Sequence, residues 1–304
     1  MAAPPAWFFI RRIACMALKS KKYPLLFLAP ALAFISVFLL IPLGRTIYYS
    51  LTAWYNFSPT KKFIGLQNYI NMLEDPILRI ALRNTGILIV FALIFQIGIA
   101  TLLAICVDCV RHGFKIFRTV YFFPVVISAT AIGLMFSLIY KYDYGLLNNI
   151  LASMGRERQV WLTARSAIYC VAVPTVWQHV GFYFIVVLTG IANISEDIYE
   201  SATLDGITPW KKAVYITLPM LKPILVSNVV LVVSQSFRVF DMVYVVTGGG
   251  PRHESELLSS YMYSKAFADY NTGFASAIAI VMIIMGILLT GVLRFLMSKI
   301  QGDD

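Results

Sequence analysis

The chain has 304 residues, 59% of them hydrophobic and only 13% charged, with a mean hydropathy of +0.77. That composition excludes a soluble globular domain and describes a polytopic membrane protein. Its formal net charge of +10 would suit nucleic acid in a soluble chain, but here the basic residues sit in loops between apolar runs, so membrane lipid is an expected partner and nucleic acid is not.

Residues 1–24 form a basic tail carrying Arg11, Arg12, Lys19, Lys21 and Lys22. The apolar run behind it is long enough to span and has no small-residue cleavage site, so it reads as a first transmembrane helix and not a leader. At about 20 mostly apolar residues per crossing, six spans are expected, at 25–45, 84–107, 119–140, 166–191, 222–247 and 272–297. They make one membrane domain, 25–297, with a short tail at 298–304.

An even number of crossings puts both termini on one side. Lys and Arg divide almost evenly between the two sets of loops, so charge leans toward cytoplasmic termini, through the basic tail and Arg111, Lys115 and Arg118, without settling the matter. On the opposite side, 46–83 mixes aromatic rings with charges as an interfacial cap would. Segments 141–165 and 248–271, the latter opening on "GGGP", read equally as plain connections or as a landing surface for an external partner.

Candidate chemistry is sparse. The cysteines are Cys15, Cys106, Cys109 and Cys170, and the single CxxC at Cys106 and Cys109 lacks the two further ligands a zinc site needs. His112, His179 and His253 are scattered, so no metal or nucleophile constellation assembles, and His179 reads first as a packing residue.

The connection between the fourth and fifth spans, 195–219, is different. Ser195 is placed to cap a helix whose first turn holds Glu196 and Asp197. Ile198, Tyr199 and Ala202 share a face, and Gly206 ends the helix. Thr208 and Pro209 begin a second one, with Trp210, Ala213, Val214 and Ile216 as its apolar face. Physics alone leaves this pair undecided between lying among headgroups and gripping a partner.

Glu200-Ser201-Ala202, three residues, Gly206, nine residues, then Ile216-x-Leu218-Pro219 resembles the "EAA" motif of membrane subunits of binding-protein-dependent ABC importers, with Ser201 replacing the middle alanine. "FIGLQNYINML" (63–73), "NTGILIVF" (84–91), "FRVFDMVYVVTGGGP" (237–251) and "YNTGFASAIAI" (270–280) are similar to the carbohydrate-uptake branch, which contains the maltose and glycerol-phosphate permeases. The first 20 residues lie outside the resemblance.

That resemblance implies an all-α polytopic fold of six transmembrane helices, the type I ABC importer (MetI-like) permease fold with a cytoplasmic coupling-helix loop. It implies that Glu200, Ser201, Ala202 and Gly206 dock an ATPase, with Ile216, Leu218 and Pro219 fixing the loop to the fifth span. It also implies a multi-pass protein of the prokaryotic plasma (inner) membrane with both termini cytoplasmic. The implied partners are a second homologous permease in a heterodimer, two cytoplasmic ATPase subunits and an extracytoplasmic solute-binding protein. No phosphate loop of the form G-x-x-x-x-G-K-[ST] occurs in the sequence. The chain is therefore expected to be no enzyme and to carry no cofactor, with ATP and Mg on the partner ATPase subunits.

For the sugar path, Asn228, Gln235 and Arg238 project within about 80° of one another at 100° per residue, and Ser227, Ser234 and Asp241 widen the arc to about 140°. Amides and hydroxyls suit a polyhydroxylated solute, so Asn228 and Gln235 lead the candidates, against interhelical hydrogen bonding. Arg238 and Asp241, three apart, are placed to neutralise each other. A secondary transporter is the rival class. It calls for inverted repeats, helices unwound at mid-membrane and coupling ions' ligands, and no repeat is visible.

Overall fold

The structure, a computed structural model, describes residues 22–108 and 114–301. The tail 1–21, Cys15, Cys109, Arg111, His112 and residues 302–304 lie outside the described residues. Among the described residues, four helices are long and apolar enough to cross a membrane on their own: α1 (Phe27–Ser50), α3 (Pro76–Asp108), α7 (Ala167–Ala192) and a last helix, of which Thr272–Met297 meets the requirement. Two further helix pairs, each bent at a short break, meet the requirement only when the pair is counted as one span, which gives six at most.

α1 shows its apolar side chains outward along most of its length and packs through Ile41–Ser50 on the last helix. Beyond it lies the expected cap. Thr52–Ala53 (β1) pairs antiparallel with Lys62–Phe63 (β2), so this helical protein carries one small ribbon. A short helix, α2 (Gln67–Glu74), follows. Asn68, buried, donates its amide to the carbonyls of Ser50 and Thr52 at 2.8 and 3.0 Å, tying α2 to the ribbon.

Asp75 starts α3 by accepting from the Ile77 and Leu78 amides at 2.9 and 3.2 Å, with Pro76 at the first helical position, where its missing N–H costs nothing. Its other oxygen accepts the Tyr261 hydroxyl at 2.6 Å, and burial first, then that bond, pushes the phenol well above its usual range. α3 passes through a π turn at Ala92–Ile97.

The expected third span, 119–140, is built from two helices, α4 (Phe114–Val126) and α5 (Ala129–Ile139), bent by 91°. Pro124 has no N–H for the preceding turn and crowds it, which weakens the helix just before the break. α6 (Leu146–Ser153) lies in the connection to α7. α7 is the most buried of the long helices and the centre of the molecule; its cores face α3, α4 and α5. At Gly181 a Cβ would collide with the Tyr121 carbonyl oxygen, so α4 and α7 meet backbone to backbone.

α8 (Glu196–Leu204) and α9 (Pro209–Met220) form the next connection, and α9 turns by 65° into α10 (Lys222–Ser236). The expected fifth span, 222–247, is likewise not one helix. α10 ends at Ser236, residues 237–240 are not helical, and α11 (Asp241–Val246) follows. α12 (Leu258–Tyr263) and α13 (Thr272–Gln301) complete the chain.

Candidate functional site: a two-helix loop and a cavity at two helix breaks

In the loop, α8 ends as a Schellman turn. The Ile207 amide donates to the Ala202 carbonyl at 3.0 Å and the Gly206 amide to that of Thr203 at 3.1 Å, with Gly206 at φ +70°. Nothing lies within 4 Å of a Cβ placed on Gly206, so glycine is needed for the backbone angle and not for space. Pro209 opens α9 at the first helical position, behind Thr208, which holds the cap position without capping a backbone N–H. The Tyr199 hydroxyl and Thr217 Oγ lie 3.1 Å apart, and Lys212 Nζ stands 4.4 Å over the Tyr199 ring, so the two helices are braced against each other.

Two local expectations need correction. Ser195 holds the cap position of α8, but its hydroxyl donates to the Asp197 carboxylate at 3.3 Å and caps no backbone N–H. Of the expected apolar face of α9, Trp210, Ala213 and Val214 line one groove against α3, while Ile216, inside a π turn at Ala213–Thr217 that adds a residue to that turn, lines the hollow toward α8. Ala213 and Thr217 are buried, whereas Trp210 is 73% exposed.

Of the motif residues, Ser201, Ala202 and Ile216 line one shallow hollow of about 350 Å³ between the helices, together with Ile198 and Ile207. Gly206 is not a lining residue, although its neighbours Asp205 and Ile207 are. Glu200 is exposed beside the hollow, and Leu218 lines a separate apolar groove against α3. Pro219 stands in the last turn of α9, at the bend into α10. The outermost apolar side chains, Leu204 at 89% and Tyr215 at 74% exposed, are ones that helical periodicity did not single out.

The second region is a cavity of about 210 Å³ where α5, α7 and the α10–α11 break meet. Both broken segments end there, and each has a carbonyl taken by a side chain from a neighbour. Gln178 Nε2 donates to the Ile127 carbonyl at 3.0 Å, and Ser259 Oγ donates to that of Val239. Non-helical backbone persists in an apolar protein only where such partners or a cavity satisfy it.

Gln235, Arg238 and Asp241 line this cavity with Gln178, His179 and Thr175. Asn228 does not: it is fully buried, and neither amide atom has a hydrogen-bond partner among the described residues. Ser227 and Ser234 bond their own helix backbone, at Pro223 and Val230. Arg238 and Asp241 form no ion pair with each other, because the helix that would hold them three apart ends between them. Gln235 Oε1 accepts the Tyr183 hydroxyl at 2.7 Å, leaving its NH₂ to donate. His179 Nδ1 contacts the Thr175 carbonyl at 2.9 Å. A carbonyl can only accept, so Nδ1 carries the proton, and Nε2 of the neutral ring is an acceptor. With the Gln235 amide group and the Arg238 and Asp241 side chains at its wall, the cavity holds donors and acceptors at close quarters, as a polyol requires.

The description "binding-protein-dependent transport system inner membrane component" fits residues 96–302. The chain belongs to that family. It is 38% identical over 280 residues to the probable ABC transporter permease protein YurN of Bacillus subtilis, covering 90% of this chain and 96% of that one. It is 30% identical over 275 residues to the trehalose/maltose transport system permease protein MalF of Thermococcus litoralis, covering 88% and 90%. The fold matches a chain of a bacterial alginate ABC transporter solved with an alginate pentasaccharide-bound periplasmic protein, with a TM-score of 0.80, 21% identity and coverage of 97% and 98%. The permease fold expected from the motif is therefore the fold present. Helices broken at the cavity, which alone would equally suit a secondary transporter, belong here to an importer permease.

Proposed function

We propose that this chain is the membrane subunit of a prokaryotic importer for a sugar, whether oligosaccharide, monosaccharide or sugar-like polyol. It works with a second homologous permease, two cytoplasmic ATPase subunits that bind ATP and Mg, and an extracytoplasmic solute-binding protein. Binding-protein dependence is a property of the family, and the Thermococcus relative, named for trehalose and maltose, supports the sugar class. The cavity lined by Gln178, His179, Gln235, Arg238 and Asp241 is the substrate path.

The observation that carries the coupling role is the loop α8–α9. It holds the motif spacing on two mutually braced helices while leaving Leu204 and Tyr215 exposed. Large apolar side chains exposed on a rigid support mark a surface that a partner covers. With an ATPase as that partner, the loop faces the cytoplasm and both termini share its side. Movement of the ATPases would then shift the permease between inward-open and outward-open states by stabilising them differently.

Proline cannot adopt the φ of +70° found at Gly206, and Glu200 is exposed at the loop surface. Gly206→Pro or Glu200→Lys should each abolish substrate-stimulated ATPase activity of the assembled complex while membrane insertion is retained. Unchanged stimulation in both variants would remove the coupling role.

A further inference from the structure

A second cavity, of about 270 Å³, opens between α11 and α12 and is lined by Tyr244, Gly249, Glu256, Ser260, Tyr263 and Phe267. Three of these are aromatic and partly exposed, Tyr244 at 57%, Tyr263 at 36% and Phe267 at 54%. The fourth feature is a carboxylate that is only 3% exposed. Glu256 accepts from Ser260 Oγ and from His253 Nδ1, the latter at 3.3 Å. Gly249, at φ +82°, has no room for a Cβ, which would overlap the Glu256 carboxylate. The acid is thus enclosed by backbone at the wall of a ring-lined hollow.

The rings do not stop there. Tyr263 lies 4.8 Å from Phe267 and 4.7 Å from Phe240, and Tyr244 lies 5.2 Å from Phe240, between ring centroids. Phe240 lines the polar cavity of Gln178, Gln235 and Arg238. In the other direction Phe267 lies 6.3 Å from Phe57, which is 6.1 Å from Trp54 in the cap. One unbroken series of ring contacts therefore joins the cap to the polar cavity.

We propose that the α11–α12 cavity is an outer sugar subsite, in which Tyr244, Tyr263 and Phe267 stack on the apolar face of a pyranose and Glu256 accepts from its hydroxyls. The ring series then hands the sugar on past Phe240. This rests on the sugar reading given above. A pyranose presents C–H groups on its faces and hydroxyls at its rim, which is the pairing of ring faces with a buried acceptor found here. A cation would also favour rings and a carboxylate, but the same route leads to Arg238, which opposes its passage. A chain of modest, similar contacts lets a solute enter without trapping it.

The test is uptake of labelled trehalose, maltose and longer malto-oligosaccharides by proteoliposomes holding the complete transporter, with its binding protein at saturation. Tyr244→Ala, Tyr263→Ala and Phe267→Ala together should lower the initial rate for whichever sugar the unaltered complex carries by about tenfold, while Tyr263→Phe keeps it within about twofold. An unaltered uptake rate in the triple variant overturns the subsite and leaves the sugar reading standing. Loss of the partner permease from the triple variant assigns the rings to the subunit interface and also overturns it. An unaltered complex that carries none of these sugars, and none of a panel of monosaccharides, other oligosaccharides and sugar-like polyols, removes the sugar reading, and the subsite with it.

Discussion

The α8–α9 loop and the polar cavity are built by opposite means. The turn between the two helices of the loop is set by neighbours in sequence: a glycine at positive φ, a Schellman turn, a proline at the start of the second helix. The cavity owes its existence to residues far apart in sequence, with Gln178 satisfying Ile127 and Ser259 satisfying Val239. The loop should therefore yield to local backbone changes and the cavity to changes in packing between helices.

Glycines give the sharpest version of that contrast. Gly181→Ala forces a Cβ into the Tyr121 carbonyl, so α4 must move off α7, and overpacking of this kind costs about 1–3 kcal/mol or more. Gly206→Ala meets no atom within 4 Å and suffers only from its φ of +70°, a cost of about 1 kcal/mol. Thermal unfolding of the two variants in detergent should show the larger drop for Gly181→Ala. The reverse order would mean that α4 and α7 do not touch at this point.

Next in size is Gln178→Leu, which keeps the volume but leaves the Ile127 carbonyl without its donor. An unsatisfied buried acceptor costs about 1–3 kcal/mol, and the α4–α5 break should loosen. The expected reading is faster hydrogen exchange of the α4–α5 break, residues 127–129, with α8–α9 unaffected. Equal protection in both proteins would show that the break is held by something other than Gln178.

These two regions also differ in how far the sequence revealed them. The loop was legible because turn chemistry is local: Gly206 and Pro209 do what their residue types dictate. The breaks were not, since hydropathy registers how apolar a run is and says nothing about the direction of its backbone. Pro124 was a usable sign for the first break. The second, at 237–240, has neither proline nor glycine. Treating 222–247 as one helix carried the arc from Asn228 straight through to Asp241, which put Asn228 on the path and paired Arg238 with Asp241. The cavity holds Gln235, Arg238 and Asp241 without that pairing, and takes Gln178 and His179 from α7. Their convergence with Gln235 is a tertiary fact that no periodicity within α7 contains.

The smallest effect tests the loop where its local logic did not hold. A serine ahead of Glu196 and Asp197 has the residue type of an N-cap, and its loss from such a position costs about 1 kcal/mol. Here the Ser195 hydroxyl is turned to the Asp197 carboxylate, an exposed contact at 3.3 Å. Ser195→Ala should then change unfolding by no more than about 0.5 kcal/mol, as a surface substitution does. The helix keeps Glu196 and Asp197 in its first turn, where their charges favour the positive end of the dipole. A loss near 1 kcal/mol would instead show that Ser195 caps α8 in solution, and that its bond to Asp197 gives way to the backbone amides.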